Sequence, residues 1–227
     1  MSDLISIIKQ LEADVEEALK SYEMKDQLKP ALKVYQEVEN KLLALEGITS
    51  EHEAYSDQQR VLAYALMRQA NILRQFGKMN EASEVTQREI IAARASGDDV
   101  TLARSLMSFG ATCAATGEVK SGLEYIEEAQ TLFSKGISYD HKQGLGWCWI
   151  LKADLVNAGI LSKEQEDGVN ISTQAIELLK SIGNWPGVTR AYEARAKAYE
   201  QLGNETAASA DLEAATVYRK MVTVNND

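Results

Sequence analysis

Thr189–Lys220 reads TRAYEARAKAYEQLGNETAASADLEAATVYRK. Tyr192, Ala196 and Tyr199 recur at i, i+4 and i+7, so they share one helical face. Gly203-Asn204 interrupts that face, where a Gly suits the end of one helix and an Asn the start of the next. Ala208, Leu212, Ala215 and Tyr218 then resume the rhythm. The stretch predicts two short helices joined by a tight turn, with small residues facing the neighbour. One such hairpin cannot bury its own apolar face, so copies of it are expected elsewhere in the chain.

The composition agrees. Only two prolines, Pro30 and Pro186, occur in 227 residues, and good helix formers dominate. The 34 acidic and 24 basic residues give a net charge of −10. Nucleic-acid binding needs concentrated Lys and Arg to displace counterions, and neither the total nor any local run supplies them. An anionic membrane surface is disfavoured for the same reason. No run approaches 18 uncharged apolar residues, and residues 1–20 are charged at every turn, so neither membrane insertion nor a signal peptide is expected. Cys113 and Cys148 form no CxxC pair and read as reduced packing residues in a cytoplasmic protein.

The chain reads as ten helices. The first covers 3–24, with Leu4, Ile8, Leu11, Val15, Ala18 and Tyr22 on one face, and the second covers 28–45, with Pro30 in its first turn. Ser50-Glu51-His52-Glu53 reads as a capping box that opens a third helix reaching Phe76. Helices over 80–95, 100–116 and 119–134 follow, then a loop at 137–141. The next helices are read over 142–158, from a Ser162/Gln165 capping box to Ile182 with Gly168 as a weak point, from Gly183-Asn184, and after Gly203. Three intervals give the period: Gly77 to Gly117 is 40 residues, Gly117 to Gly159 is 42 and Gly159 to Gly203 is 44. A repeat at this scale marks a solenoid. The whole chain is read as one repeat domain, with a divergent hairpin at 1–47 and repeats at 50–97, 98–136, 139–183 and 184–224.

The repeat resembles the tetratricopeptide (TPR) family, whose unit runs W-x2-L-G-x2-Y, then A-x3-F-x2-A. The last repeat matches with Tyr192, Arg195, Ala196 and Tyr199, then Ala208, Leu212 and Ala215. The repeat around Gly117 gives Leu106, Phe109, Gly110 and Cys113, then Gly122, Ile126 and Ala129. The repeat around Gly77 gives Leu66, Gln69, Ala70 and Leu73, then Ala82, with Thr86 and Glu89 fitting poorly. Around Gly159 two registers are open: Cys148, Leu151, Lys152 and Leu155, or Trp149, Lys152, Ala153 and Val156. Period and composition resemble the longer repeats of kinesin light chains and some bacterial regulators, while the spacing exceeds the common 34 residues and the Pro that usually closes a repeat is absent. The resemblance covers roughly 57–220. It implies an all-α, right-handed superhelical solenoid of antiparallel hairpins, in which the first helix of each pair lines a concave groove for a peptide or partner helix.

The third helix carries the clearest stripe for such a groove: Arg60, Tyr64, Met67, Asn71 and Arg74, spaced 4, 3, 4, 3. Asn71 stands where many family members place an amide that grips the ligand backbone. Arg104 and Met107 extend the surface in the next repeat, Trp149 supplies a candidate aromatic anchor, and Arg190 and Lys197 extend it in the last. Arginines on an inner face suit an acidic or C-terminal carboxylate ligand, because the guanidinium binds carboxylate bidentately. Trp147 and Trp149 flank Cys148, so one is expected in the core and the other toward the groove. Trp185 reads as a hydrophobic staple.

His52 and His141 lie near loops and outside any metal spacing, and no phosphate loop, nucleophile elbow or Cys/His pairing occurs. No enzyme, metal or cofactor is expected. The sequence therefore points to a scaffold or adaptor that binds a protein or peptide. The alternatives are a peptide-sensing regulatory domain or a self-assembling structural protein. The tenth helix either supplies a polar outer face through Asp211, Glu213 and Arg219 or pairs with a second copy as a homodimer.

Overall fold

A computed structural model describes residues 2–159 and 165–224. Among these the chain forms ten α-helices and no strand. They are α1 (Ser2–Ser21), α2 (Leu28–Leu43), α3 (Tyr55–Gln75), α4 (Met79–Ser96), α5 (Asp99–Ala115), α6 (Val119–Phe133), α7 (Tyr139–Asn157), α8 (Gln165–Ser181), α9 (Trp185–Gln201) and α10 (Glu205–Val224), with a 3-10 turn at Glu23–Lys25. Their contacts divide the chain into two units, Met1–Tyr125 and Ile126–Asp227, with the division inside α6.

In the N-terminal unit α1 packs on α2 and α3, α2 on α3, α3 on α4 and α5, and α4 on α5. In the C-terminal unit α7 packs on α8 and α9, α8 on α9, and α9 on α10. The first core collects Ile8, Leu11, Tyr35, Leu42, Leu66 and Ile72. The second collects Ile150, Ile176, Leu179, Val188 and Tyr192. Fully burying side chains of this size contributes about 1.5–3 kcal/mol each.

The turns follow the glycines. Gly77 sits at φ +71°, and beyond it the Lys78 N–H reaches back to the Leu73 carbonyl at 2.9 Å. That bond satisfies a carbonyl the helix end would otherwise orphan, and only a residue without Cβ takes the left-handed turn at no steric cost. Close approach explains other glycines. A Cβ on Gly122 of α6 would lie 2.7 Å from the Gly110 carbonyl oxygen of α5. A Cβ on Gly168 would lie 2.7 Å from the side-chain Asn157 Oδ1 and 3.3 Å from the Ala198 Cβ, so α8 packs closely at this glycine.

Several details depart from the sequence reading. No capping box opens α3, which starts at Tyr55 with no side-chain cap. Instead Thr49 and His52 carbonyls take the His52 and Tyr55 N–H groups, and the His52 ring Nδ1 accepts from the Ala54 N–H at 3.0 Å. The chain thus turns twice before it becomes helical. The loop expected at 137–141 is mostly helix, because Ser138 caps α7 and accepts from the His141 N–H. Ser162 of the second expected capping box lies outside the described residues. In α10, Leu212 is exposed and Asp211 is buried, because the Asp211 carboxylate pairs with Arg195 at 2.8 Å through both oxygens. Asp211 is therefore no part of a polar outer face. Around Gly159 both registers are partly realised: Cys148, Leu155, Ala153 and Val156 are all buried.

Candidate functional site

Arg60, Tyr64, Met67, Asn71 and Arg74 lie along α3, and all five are half-buried. Arg104 and Met107 lie half-buried on α5, which packs against α3. Trp149 lies on α7, and Arg190 and Lys197 lie on α9. The ten expected positions therefore form two groups, one on α3 and α5 of the N-terminal unit and one on α7 and α9 of the C-terminal unit.

The cations of the first group are engaged within the protein. Arg60 makes a bidentate pair with Glu12 of α1, with 2.8 Å from Nη2 to Oε2, and Asp57 stands 3.6 Å from its Nε. The hydrogen bond from Arg60 holds the Glu12 carboxyl below the usual carboxylate range. Arg74 turns toward α5: its Nη1 donates to Thr112 Oγ1 at 2.7 Å and to the Ser108 carbonyl at 3.2 Å, and its Nη2 donates to Asn71 Oδ1. Burial pulls the Arg74 guanidinium below its ordinary value, against the attraction of Glu89. Burial lifts the Tyr64 hydroxyl to about 12, opposed by Arg68 and Arg104 and aided by its hydrogen-bonded neighbour Glu16. A face with its arginines compensated in this way is no open carboxylate clamp.

Tyr64, Met67 and Asn71 on α3 and Met107 on α5 are half-buried side chains of the same two packed helices. A guanidinium only donates, so the amide oxygen must be the atom that faces Arg74.

In the second group Arg190 donates to Asp154 at 2.9 Å and to Glu193 at 2.8 Å. Burial raises the Asp154 carboxyl, while Arg190 and then Lys197 pull it back. Lys197 itself is exposed. Trp147 and Trp149 are both half-buried against the second core, so the expected split between one core and one groove tryptophan does not occur. Trp185 opens α9 and stacks on Tyr218 of α10, which stacks in turn on Tyr192, each at 5.7 Å. Lys180 lies over the Tyr192 and Tyr218 rings.

Sequence reasoning missed three charged residues that shape the first group. Arg68 and Glu23 form an ion pair with 3.0 Å from Nε to Oε2, and the Tyr35 hydroxyl donates to the same carboxylate at 2.8 Å. The third is Glu89 on α4, fully buried, with Oε2 accepting from the Ser108 hydroxyl at 3.0 Å and Oε1 lacking a partner. Burial lifts this carboxyl to about 8, against Ser105, Ser108 and Arg74. Its signal was present, since Thr86 and Glu89 were the misfits to the repeat. Ala129 and Ala215 fill the position of Glu89 in other repeats, and both are buried.

Among the described residues no group of three His, Cys, Asp or Glu could hold a metal ion, and no helix is long and apolar enough to cross a membrane. His52 and His141 both serve helix starts.

Solved structures are similar to this chain in fold over nearly its whole length. BtubC (BKLC) from P. vanneervenii is 13% identical over 97% of this chain and 92% of its own, with a TM-score of 0.59. A putative kinesin light chain with nearly identical TPR-like repeats from Podosopora anserina is 16% identical over 95% and 97%, with a TM-score of 0.57. The fold is TPR-like. Aspartyl phosphate phosphatase F from Bacillus subtilis is 11% identical over 97% of this chain and 65% of its own, with a TM-score of 0.55. Identities this low speak for the TPR-like fold alone. No protein-family model and no curated protein matches the sequence.

Proposed function

We propose that this TPR-like chain is a protein-binding module that takes an extended peptide, or an extended segment of a partner, along the α3/α5 face of its N-terminal unit. One observation supports this most: the Asn71 amide has its oxygen held by Arg74, on a helix that also carries half-buried Tyr64 and Met67 and packs against α5 with half-buried Met107. Such a face binds by contact area and backbone hydrogen bonds. Arg60 is committed to Glu12, so the favoured ligand is an uncharged or apolar segment that presents a main-chain carbonyl to Asn71, rather than a carboxylate. A scaffold or adaptor role follows from binding of this kind.

The test is selection of a displayed random-peptide library on the full chain, followed by calorimetry of the best peptide. Asn71→Ala and the Met67→Ala/Met107→Ala double variant should each weaken binding by about ten-fold, the size expected for a lost hydrogen bond or apolar anchor. Arg190→Ala should leave it unchanged. Equal affinity for wild type and both α3/α5 variants would overturn the reading.

A further inference from the structure

Glu89 is the least expected side chain in the N-terminal unit. A carboxylate in a hairpin core is costly unless paired and hydrogen-bonded. Here it occupies a position that other repeats fill with a buried alanine. Its surroundings run toward the surface. Oε2 accepts from the Ser108 hydroxyl at 3.0 Å, and Ser108 Oγ lies 3.5 Å from Arg74 Nη1. The same guanidinium nitrogen, Nη1, donates to the Ser108 carbonyl and to Thr112 Oγ1, while Nη2 donates to Asn71 Oδ1. Three helices thus supply one polar chain, Glu89 (α4), Ser108 (α5), Arg74 and Asn71 (α3), and its outer end is the amide of the proposed binding face.

We propose that Glu89 is a positioning residue for that face, acting through Ser108 and Arg74 to set the orientation of the Asn71 amide. The inference rests on the α3/α5 reading for its purpose, but not for its physics. When Glu89 is ionised, the Ser108 hydroxyl must donate to it, which leaves the Ser108 lone pairs to Arg74. When Glu89 carries a proton, the acid donates to Ser108 Oγ, the hydroxyl turns, and Arg74 loses part of its acceptor set and its counter-charge. The guanidinium then leans on Asn71 more or less firmly according to one proton. Of the groups facing Glu89, Ser105 and Ser108 come from α5 and are neutral, and Arg74 comes from α3 and is charged. On its own helix the neighbouring Arg88 is committed to Glu39 of α2. Arg68, further along α3, acts on Arg74 and is itself paired with Glu23. Because burial places the Glu89 carboxyl at about 8, both forms are populated near neutral pH.

The test is NMR of the full chain between about pH 5.5 and 9, a window bracketing that value. It follows the Asn71 side-chain NH2 and Arg74 Nε–H signals in wild type, Glu89→Gln and Ser108→Ala. In wild type both signals should move with a single midpoint, shared with the Glu89 carboxyl carbon. In Glu89→Gln they should be flat. In Ser108→Ala, which keeps the acid, Glu89 should still titrate while the movement at Asn71 falls by about half or more, since one link of the chain is gone. A wild-type Asn71 signal that ignores pH, or one that titrates unchanged in Glu89→Gln, would overturn the proposal. So would an undiminished Asn71 movement in Ser108→Ala. No ligand enters the experiment, so failure of the binding reading would not alter what these titrations show about Glu89.

Discussion

Gly122→Ala sets helix propensity against helix packing within one substitution. In an isolated helix the change stabilises by about 1 kcal/mol. Here the added methyl would lie 2.7 Å from the Gly110 carbonyl oxygen, 2.9 Å from the Ala114 backbone nitrogen and 3.3 Å from the Ala114 Cβ. Backbone atoms of a packed helix do not swing aside. To reach the 3.4 Å at which contact becomes ordinary, α5 and α6 must part by about 0.7 Å at this crossing. That separation also loosens the edge-to-face contact of Phe109 with Tyr125, whose centroids are 4.8 Å apart. Overpacking of this kind costs roughly 1–3 kcal/mol, and contact with backbone places it toward the upper end. The net expectation is a loss of about 1–2 kcal/mol after the propensity gain is subtracted. Urea unfolding followed by circular dichroism measures it, with Gly136→Ala as the comparison. There the clash is with the His141 ring, a side chain that can move, so the loss should be smaller. Gly122→Ala equal to or more stable than wild type would refute the close α5/α6 crossing.

Other outcomes follow from the buried charges and caps. Between the ordinary carboxylate range and about 8, folded Glu89 keeps a proton that the unfolded chain releases, so its contribution to stability is full at low pH and is lost as pH rises through that window. Wild type should therefore lose about 2–4 kcal/mol more than Glu89→Gln between pH 5 and 8, as read by thermal melts in matched buffers. Arg68→Met should cost about 3–5 kcal/mol by leaving Glu23 and Tyr35 without their cation, and a double-mutant cycle with Glu23→Gln should recover part of it. Asp98→Ala should cost about 1 kcal/mol in chemical denaturation, because its carboxylate accepts from the Thr101 N–H at 2.7 Å at the start of α5.

The turns were legible because a left-handed residue closing a helix leaves a local mark. Gly77, Gly117, Gly159 and Gly203, which set the period in the sequence, all take positive φ. The starts of α3 and α7 were less legible, since what caps a helix depends on which neighbouring group satisfies its first N–H donors. At α3 the Tyr55 N–H goes to the His52 carbonyl with no side-chain cap, and at α7 the capping group is Ser138, upstream of the expected helix. Spacing also placed the α3 stripe on one face, but spacing says nothing of partners. Glu12 is 48 residues from Arg60 in sequence, and Ser108 is 34 residues from Arg74. A polar stripe that looks like a cationic groove along one helix is therefore compensated by helices that fold against it. The exchange of Leu212 for Asp211 on the packed side of α10 has the same origin, because Arg195 on α9 makes burial of the acid favourable.

The most direct measurement of the central claim is site-specific photo-cross-linking in source-cell extract. A benzophenone side chain is placed on the full chain at position 67 or 107 on the proposed face, or at position 91 on α4, where Ile91 is 68% exposed. The account predicts one protein partner cross-linked from 67 and 107 and absent from 91, with capture reduced by Asn71→Ala in line with the ten-fold loss of affinity. The same partner captured from 91 but not from 67 or 107 would contradict it.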